Sequence, residues 1–163
     1  MMLERGPVGT TIARMTRKLP DKPTLGRAQG KRLVDEELTR NVIGGFYDVY
    51  NTLGYGFRES VYSHALAIEL RARGLRVDRE VEVVVYYKGQ VVGRFRIDQL
   101  IEGRLVLEIK ATRALVPSDR SQLLNCLRSS NLELGLLLHF GPRPAFYRVI
   151  AENQFKENGS TPI

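Results

Sequence analysis

The sequence has little cysteine, little histidine and no long apolar run, and each shortage removes a class of protein. One cysteine in 163 residues, Cys126, excludes an intramolecular disulfide, a multi-cysteine zinc site and a four-cysteine iron–sulfur cluster. The two histidines, His64 and His139, have no second His or Cys at metal-ligand spacing. His64 follows Ser60 by one helical turn, but no oriented acid accompanies the pair, so it reads as surface or packing detail. His139 lies in an apolar run and reads as a core histidine with a hydrogen-bond partner. Cys126 reads as a small buried apolar residue. No stretch approaches the roughly 18 apolar residues of a membrane span, so no membrane partner is expected. The opening residues lack an apolar core of signal-peptide length, and the expected location is cytoplasmic.

What is present fits one domain with a tail. A chain near 150 residues buries roughly 70% of its unfolded surface and needs no covalent staple. The net charge is +7, which invites a nucleic-acid partner. Its distribution matters more than its size. Residues 1–32 hold eight basic and two acidic residues, a net +6, while the other 131 hold 17 basic and 16 acidic. The basic character therefore belongs to a Pro-, Gly- and Arg-containing segment without apolar periodicity, expected to be a disordered tail, with a basic arm that holds nucleic-acid backbone nonspecifically as the other reading. The expected domain is residues 33–155, with a short C-terminal tail over 156–163.

Hydrophobic spacing gives the elements. Leu38, Val42, Ile43, Phe46, Val49, Tyr50 and Leu53 recur at three- and four-residue steps, which predicts a helix over 35–53. Asp35, Glu36 and Glu37 are expected to open it. Gly44 and Gly45 inside it imply a close helix contact or a bend. A second helix is expected over 58–73, stopped by Gly74. The period then changes to two: strands over 77–87, 91–100 and 105–111, joined by short turns, form an antiparallel meander. A third helix over 119–130 is expected to be capped by Ser118. The apolar run 134–140 suits a strand buried on both faces, and 145–150 is a last strand. The order is α-α-β-β-β-α-β-β, a mixed α/β fold with a mixed sheet flanked by helices.

The strand over 105–111 carries the chemistry. Alternation puts Leu105, Leu107, Ile109 and Ala111 on one face and Val106, Glu108 and Lys110 on the other. Glu108 and Lys110 stand roughly 6.6 Å apart along it. If the preceding strand pairs through the Glu102-Gly103 turn, Asp98 approaches Glu108. Two carboxylates and an ammonium then meet at one place. Such a set suits phosphodiester hydrolysis with Mg²⁺ or Mn²⁺, hard cations that prefer oxygen ligands and take one or two protein carboxylates. Lys110 is suited to orient water and to offset charge developing on the phosphate. A solvated Glu–Lys strand face has the same spacing, and that pair alone is weak evidence. Residues 56–62 read G-x-x-E-x-x-Y, with Glu59 and Tyr62 one helical turn apart. Gln122 and Cys126 lie one turn apart on the third helix. Tyr86 and Tyr87, beside Lys88, fill alternating strand positions near a turn, with base stacking as their other use.

These blocks together resemble the GxxExxY protein family, placed in the PD-(D/E)XK nuclease superfamily. They are Gly56–Tyr62, Arg96-Ile97-Asp98, Leu107–Ala111, Gln122–Asn125 and Leu134–Gly141. The resemblance covers about residues 35–155. It implies the restriction-endonuclease-like core of that superfamily and a metal-dependent nuclease with Mg²⁺ or Mn²⁺ as cofactor. It implies that Asp98 and Glu108 hold the metal and that Lys110 is the catalytic lysine. It implies that Glu59 adds an acidic residue to the metal site and that Gln122 helps arrange it. Nucleic acid is the implied partner, DNA ahead of RNA. Ile97 stands where the superfamily often has Pro, and Cys126 where related helices carry Tyr. The alternative is a non-catalytic nucleic-acid- or protein-binding module on the same fold; the intact charged set counts against it.

Overall fold

The computed structural model describes residues 25–151, with side chains from Asp35 onward. The basic tail falls largely on residues outside this range, as does the stretch over 156–163. Eight elements run in the expected order: α1 (Leu25–Leu53), α2 (Glu59–Ala72), β1 (Val77–Tyr87), β2 (Gln90–Ile101), β3 (Leu105–Lys110), α3 (Pro117–Ser129), β4 (Leu134–His139) and β5 (Ala145–Ile150). One sheet has the order β1-β2-β3-β4-β5. β3 and β4 are parallel and every other neighbouring pair is antiparallel. The parallel pair requires a crossover, and α3 supplies it.

α1 begins ten residues before the expected Asp35. Asp35, Glu36 and Glu37 are thus in mid-helix, not at its positive end, and residues 25–32 belong to the helix instead of the tail. The error has a simple cause: apolar periodicity starts only where the helix meets the core. Leu38, Val42, Phe46 and Val49 form that contact, and all are buried. The glycine pair marks a close helix contact. A Cβ on Gly45 would stand 2.9 Å from Leu70 Cδ2 of α2. Arg73 at the end of α2 reinforces the contact, pairing with Glu69, with Asp48 and with Asn41 Oδ1.

Two apolar clusters flank the sheet. α1 and α2 cover one face with Leu105, Leu107, Ile109, Leu136 and Leu138. α3 covers the other with Val106, Leu123, Leu127 and Leu137. The predicted alternation of β3 is therefore present, and β4 is buried along its whole length.

The meander contains an inversion that the sequence does not announce. Val77 packs with the α1–α2 cluster, whereas Val81 and Val83 pack with the α3 cluster. Residues four apart on a regular strand share a face, so β1 turns over between them. Glu80 does this with a positive φ of 53°. Ile101 and Ile97 on β2 divide between the clusters in the same way. Asp98 sits at this inversion.

Ser118 does not cap α3. Pro117 takes the first helical position and Val116 the cap. Asp119 Oδ2 accepts the Val116 amide hydrogen at 2.9 Å. Proline is well suited to that position because its missing N–H has no partner there anyway.

Candidate active site

β2 and β3 part company at the site. Their register runs from Ile101↔Leu105 to Gln99↔Leu107 and goes no further. The next ladder bond is made by a side chain: Asp98 Oδ2 accepts the Ile109 amide hydrogen at 2.8 Å. The Asp98 carboxylate is fixed by this bond at the mouth of the fork, next to Glu108 on β3. The predicted approach of Asp98 to Glu108 is what the fold delivers.

Glu108 is only 2% exposed, and a buried carboxylate needs a partner. Lys110 Nζ donates to Glu108 Oε1 at 2.7 Å and reaches Gln122 Oε1 of α3 at 3.3 Å. Gln122 therefore does converge on the site, one element away from the strand pair.

Glu59 arrives from the opposite layer. It occupies the first turn of α2, where the helix dipole favours a carboxylate. It lies within electrostatic reach of Lys110 and Asp98, and the Ala111 backbone nearby favours its charged form. The loop before it is held by Tyr62. The Tyr62 hydroxyl donates to Gly54 O at 2.6 Å and accepts from the Phe57 amide at 3.2 Å. Its ring is stacked on Phe140 at 4.3 Å. Gly56 adopts a φ of 122°, a conformation only glycine takes readily. The G-x-x-E-x-x-Y spacing thus has a local meaning: glycine permits the turn, tyrosine pins it, and the glutamate between them is presented to the sheet.

The electrostatics are those of crowded buried acids. Burial pushes the Glu108 carboxyl up to about 7, Asp98 adds to the rise, and the Lys110 hydrogen bond opposes it. Asp98 is also raised, first by burial, against the Ile109 hydrogen bond and Lys110. Glu59 is raised by burial and by Asp98, against Lys110. Burial alone would lower the Lys110 ammonium, but its bond to Glu108 and the surrounding acids hold it above its ordinary value. Lys110 is therefore a cation at neutral pH. It is equipped to orient a nucleophile or steady an anion, and poorly equipped to act as a base.

Two acidic residues not singled out in the sequence belong to this environment. Asp119 acts on both Glu59 and Lys110, and Glu80 acts on Asp98. Asp119 was legible as a residue near the start of α3. Glu80 was not, because the β1–β2 register that sets it opposite Asp98 includes a shift at Val85/Tyr86.

Three raised carboxyls around one ammonium leave negative charge that a cation would relieve, and their donors are all hard oxygens, the set that Mg²⁺ and Mn²⁺ accept. Among the described residues, no three His, Cys, Asp or Glu side chains form a ready metal cage. The fit is therefore to an open site with one or two carboxylate ligands, not to a closed structural one. The remaining candidates have structural surroundings. His139 is buried, with Nε2 2.7 Å from Thr112 O. The exposed His64 places Nδ1 2.7 Å from Ser60 O. Burial pushes the Cys126 thiol up to about 11, so it is no nucleophile.

Comparison with known proteins places the chain in a family. A family model described as the PD-(D/E)XK nuclease superfamily matches residues 36–149, a span that contains Glu59, Asp98, Glu108, Lys110 and Gln122. No curated protein matches the chain. Among solved structures, the crystal structure of SSO0001 is similar at 24% identity and a TM-score of 0.46. The match covers 56% of this chain and 50% of that one, so the chain spans about half the length of that structure. With a family match across most of its length and the motif residues assembled at one fork of the sheet, the chain belongs to the PD-(D/E)XK nuclease superfamily.

Proposed function

We propose that this protein is a Mg²⁺- or Mn²⁺-dependent phosphodiesterase that hydrolyses nucleic acid, DNA ahead of RNA, through the domain expected over residues 33–155 together with the first turns of α1 from Leu25. We assign it to the GxxExxY family on the motif at residues 56–62, and to the cytoplasm. No helix among the described residues is long and apolar enough to cross a membrane.

The observation that carries the reading is the Glu108–Lys110 ion pair at 2.7 Å beside the fixed carboxylate of Asp98. Asp98 and Glu108 would hold the cation, with Glu59 as a further acidic neighbour. When bound, the cation supplies polarisation of the phosphate and a more acidic water. The protein's own groups do the remaining work. Asp98 is locked by the Ile109 amide and cannot swing away. Lys110 is held between Glu108 and Gln122, and its remaining N–H orients the attacking water or steadies a phosphate oxygen. Glu59, from the first turn of α2, adds a further carboxylate to the metal site. Water adds to phosphorus and one ester P–O bond breaks. One product keeps the phosphate as a monoester and the other leaves with a hydroxyl.

The test is cleavage of single- and double-stranded DNA and RNA with Mn²⁺ or Mg²⁺, comparing the wild type with Glu108→Ala and Lys110→Ala. Loss of activity in both variants is the expected result. Activity unchanged in both would assign the cleavage to a contaminant. Inactivity of every sample, with no thermal shift on adding metal, would favour a binding module on the nuclease fold.

A further inference from the structure

Beyond the fork the β1–β2 hairpin continues alone. β3 ends at Lys110, while β2 extends away from Asp98 through Gln90 to the Lys88-Gly89 turn. Asp98 lies nine residue steps from Gly89 of that turn, so the hairpin reaches about 30 Å past the site at strand rise. Its base is anchored, because Val81, Val83 and Ile97 are buried against α3. Its outer part is not covered. Tyr86 and Tyr87 are 60% and 63% exposed, and Val92 is exposed beside them. Consecutive strand residues face opposite ways, so one of these rings is open to solvent on each side of the ribbon tip.

The charge of the hairpin differs from that of the site. From Val81 to Ile97 it holds three basic residues, Lys88, Arg94 and Arg96, and one acid, Glu82. Arg94 pairs with Glu82 at 3.0 Å across the strands. Arg94 and Arg96 alternate with Phe95, which packs toward α3, so both guanidinium groups lie on the opposite, open face. Arg96 is two residues from Asp98 on the same strand. Lys88 Nζ lies 5.5 Å from the centre of the Tyr87 ring. A line of cations therefore leads from the acidic centre toward a tip that carries one aromatic ring on each face.

We propose that the outer β1–β2 hairpin is an arm that binds a single-stranded nucleic acid and feeds it to the site. Bases stack on Tyr86 and Tyr87, and backbone phosphates lie along Arg96, Arg94 and Lys88. Cations without rings would hold any polyanion; exposed rings select strands whose bases are unpaired. This inference rests on the nuclease reading of the neighbouring site, and its test separates the two.

The experiment uses the full chain and measures binding of labelled single-stranded DNA, single-stranded RNA and duplex DNA by fluorescence anisotropy. In parallel it measures Mn²⁺-dependent hydrolysis of bis(p-nitrophenyl) phosphate, a diester too small to reach the arm. Tyr86→Ala with Tyr87→Ala is expected to weaken single-strand binding at least tenfold and to leave hydrolysis of the small diester unchanged. Arg94→Gln with Arg96→Gln is expected to flatten the salt dependence of single-strand binding by about 1.4 in slope, the value for two phosphate contacts. Equal losses on DNA and RNA fit stacking alone; a larger loss on one names the preferred strand. Unchanged single-strand binding in the tyrosine variant overturns the arm, as does an equal loss on duplex. Loss of self-association with strand binding intact would assign the tip to a second copy of the chain instead. A wild type that binds through the arm but hydrolyses neither substrate defeats the nuclease reading while leaving the arm standing.

Discussion

Asp98 Oδ2 completes the β2–β3 ladder by accepting the Ile109 amide hydrogen at 2.8 Å. One residue thus closes the sheet and supplies the site, and the two duties are separable. Asp98→Asn keeps an oxygen for the amide and loses the charge. Asp98→Ala also leaves the amide without its partner, which costs about 1–3 kcal/mol. Both variants are expected to lose metal-dependent cleavage. Only Asp98→Ala is expected to show a clear drop in urea midpoint. Equal stability of the two variants would mean the bond contributes nothing to the fold.

Glu108 makes the protein less stable as pH rises. Its folded carboxyl titrates near 7, above an ordinary value of 4.5. Between those values the folded state holds a proton that the unfolded chain has released. Raising the pH through that window therefore favours unfolding. Glu108→Gln has no such proton to lose. It is expected to be inactive and yet about 1–3 kcal/mol more stable than wild type at pH 8, with the gain shrinking toward pH 5. Urea unfolding at the two pH values measures this. Mn²⁺ is expected to raise the melting temperature of the wild type and not of the variant. A gain of the same size at both pH values would show that the carboxyl does not titrate in this window.

Much of this molecule was legible from residue spacing. The period-two stretch gave β1 at its observed limits, and alternation along β3 separated Leu107 and Ile109 from Glu108 correctly. The Glu102-Gly103 turn was enough to bring Asp98 toward Glu108. What spacing missed was long-range or local in a way that side-chain type does not report. The first turns of α1 lack a core-facing apolar repeat, so its start was placed late. The inversion at Glu80 depends on a backbone conformation, and nothing in a Val-rich strand signals it. The fork was equally hidden, because it exists only where Asp98 displaces a backbone partner. Glu108 and Lys110 stood out because they interrupt an otherwise apolar strand; Glu59 and Gln122 stood out by helical spacing alone, and only the family resemblance tied them to the same place. Their convergence depends on how two helices on opposite faces of the sheet are aimed.

Tyr62 is expected to matter through its hydroxyl. Tyr62→Phe keeps the ring against Phe140 but removes the bonds to Gly54 O and the Phe57 amide. The stability cost is about 1–2 kcal/mol. The loop those bonds fix leads directly into Glu59, so kcat is expected to fall at least tenfold with KM little changed. A variant destabilised by that amount but with unaltered kcat would confine Tyr62 to packing.

Lys110 holds its partner's charge in place, and a double-mutant cycle exposes this. Lys110→Ala leaves a buried Glu108 carboxylate without its ammonium, a loss of about 3 kcal/mol or more where the acid is ionised. The defect is expected to be large at pH 8 and small at pH 5, since protonating Glu108 removes the charge that lacks a partner. Adding Glu108→Gln to Lys110→Ala should restore most of the stability lost at pH 8 and none of the activity. The coupling between the two substitutions should therefore be strong at high pH and fade at low pH. A pH-independent coupling would mean that the two side chains interact by packing, and the electrostatic account of the site would lose its foundation.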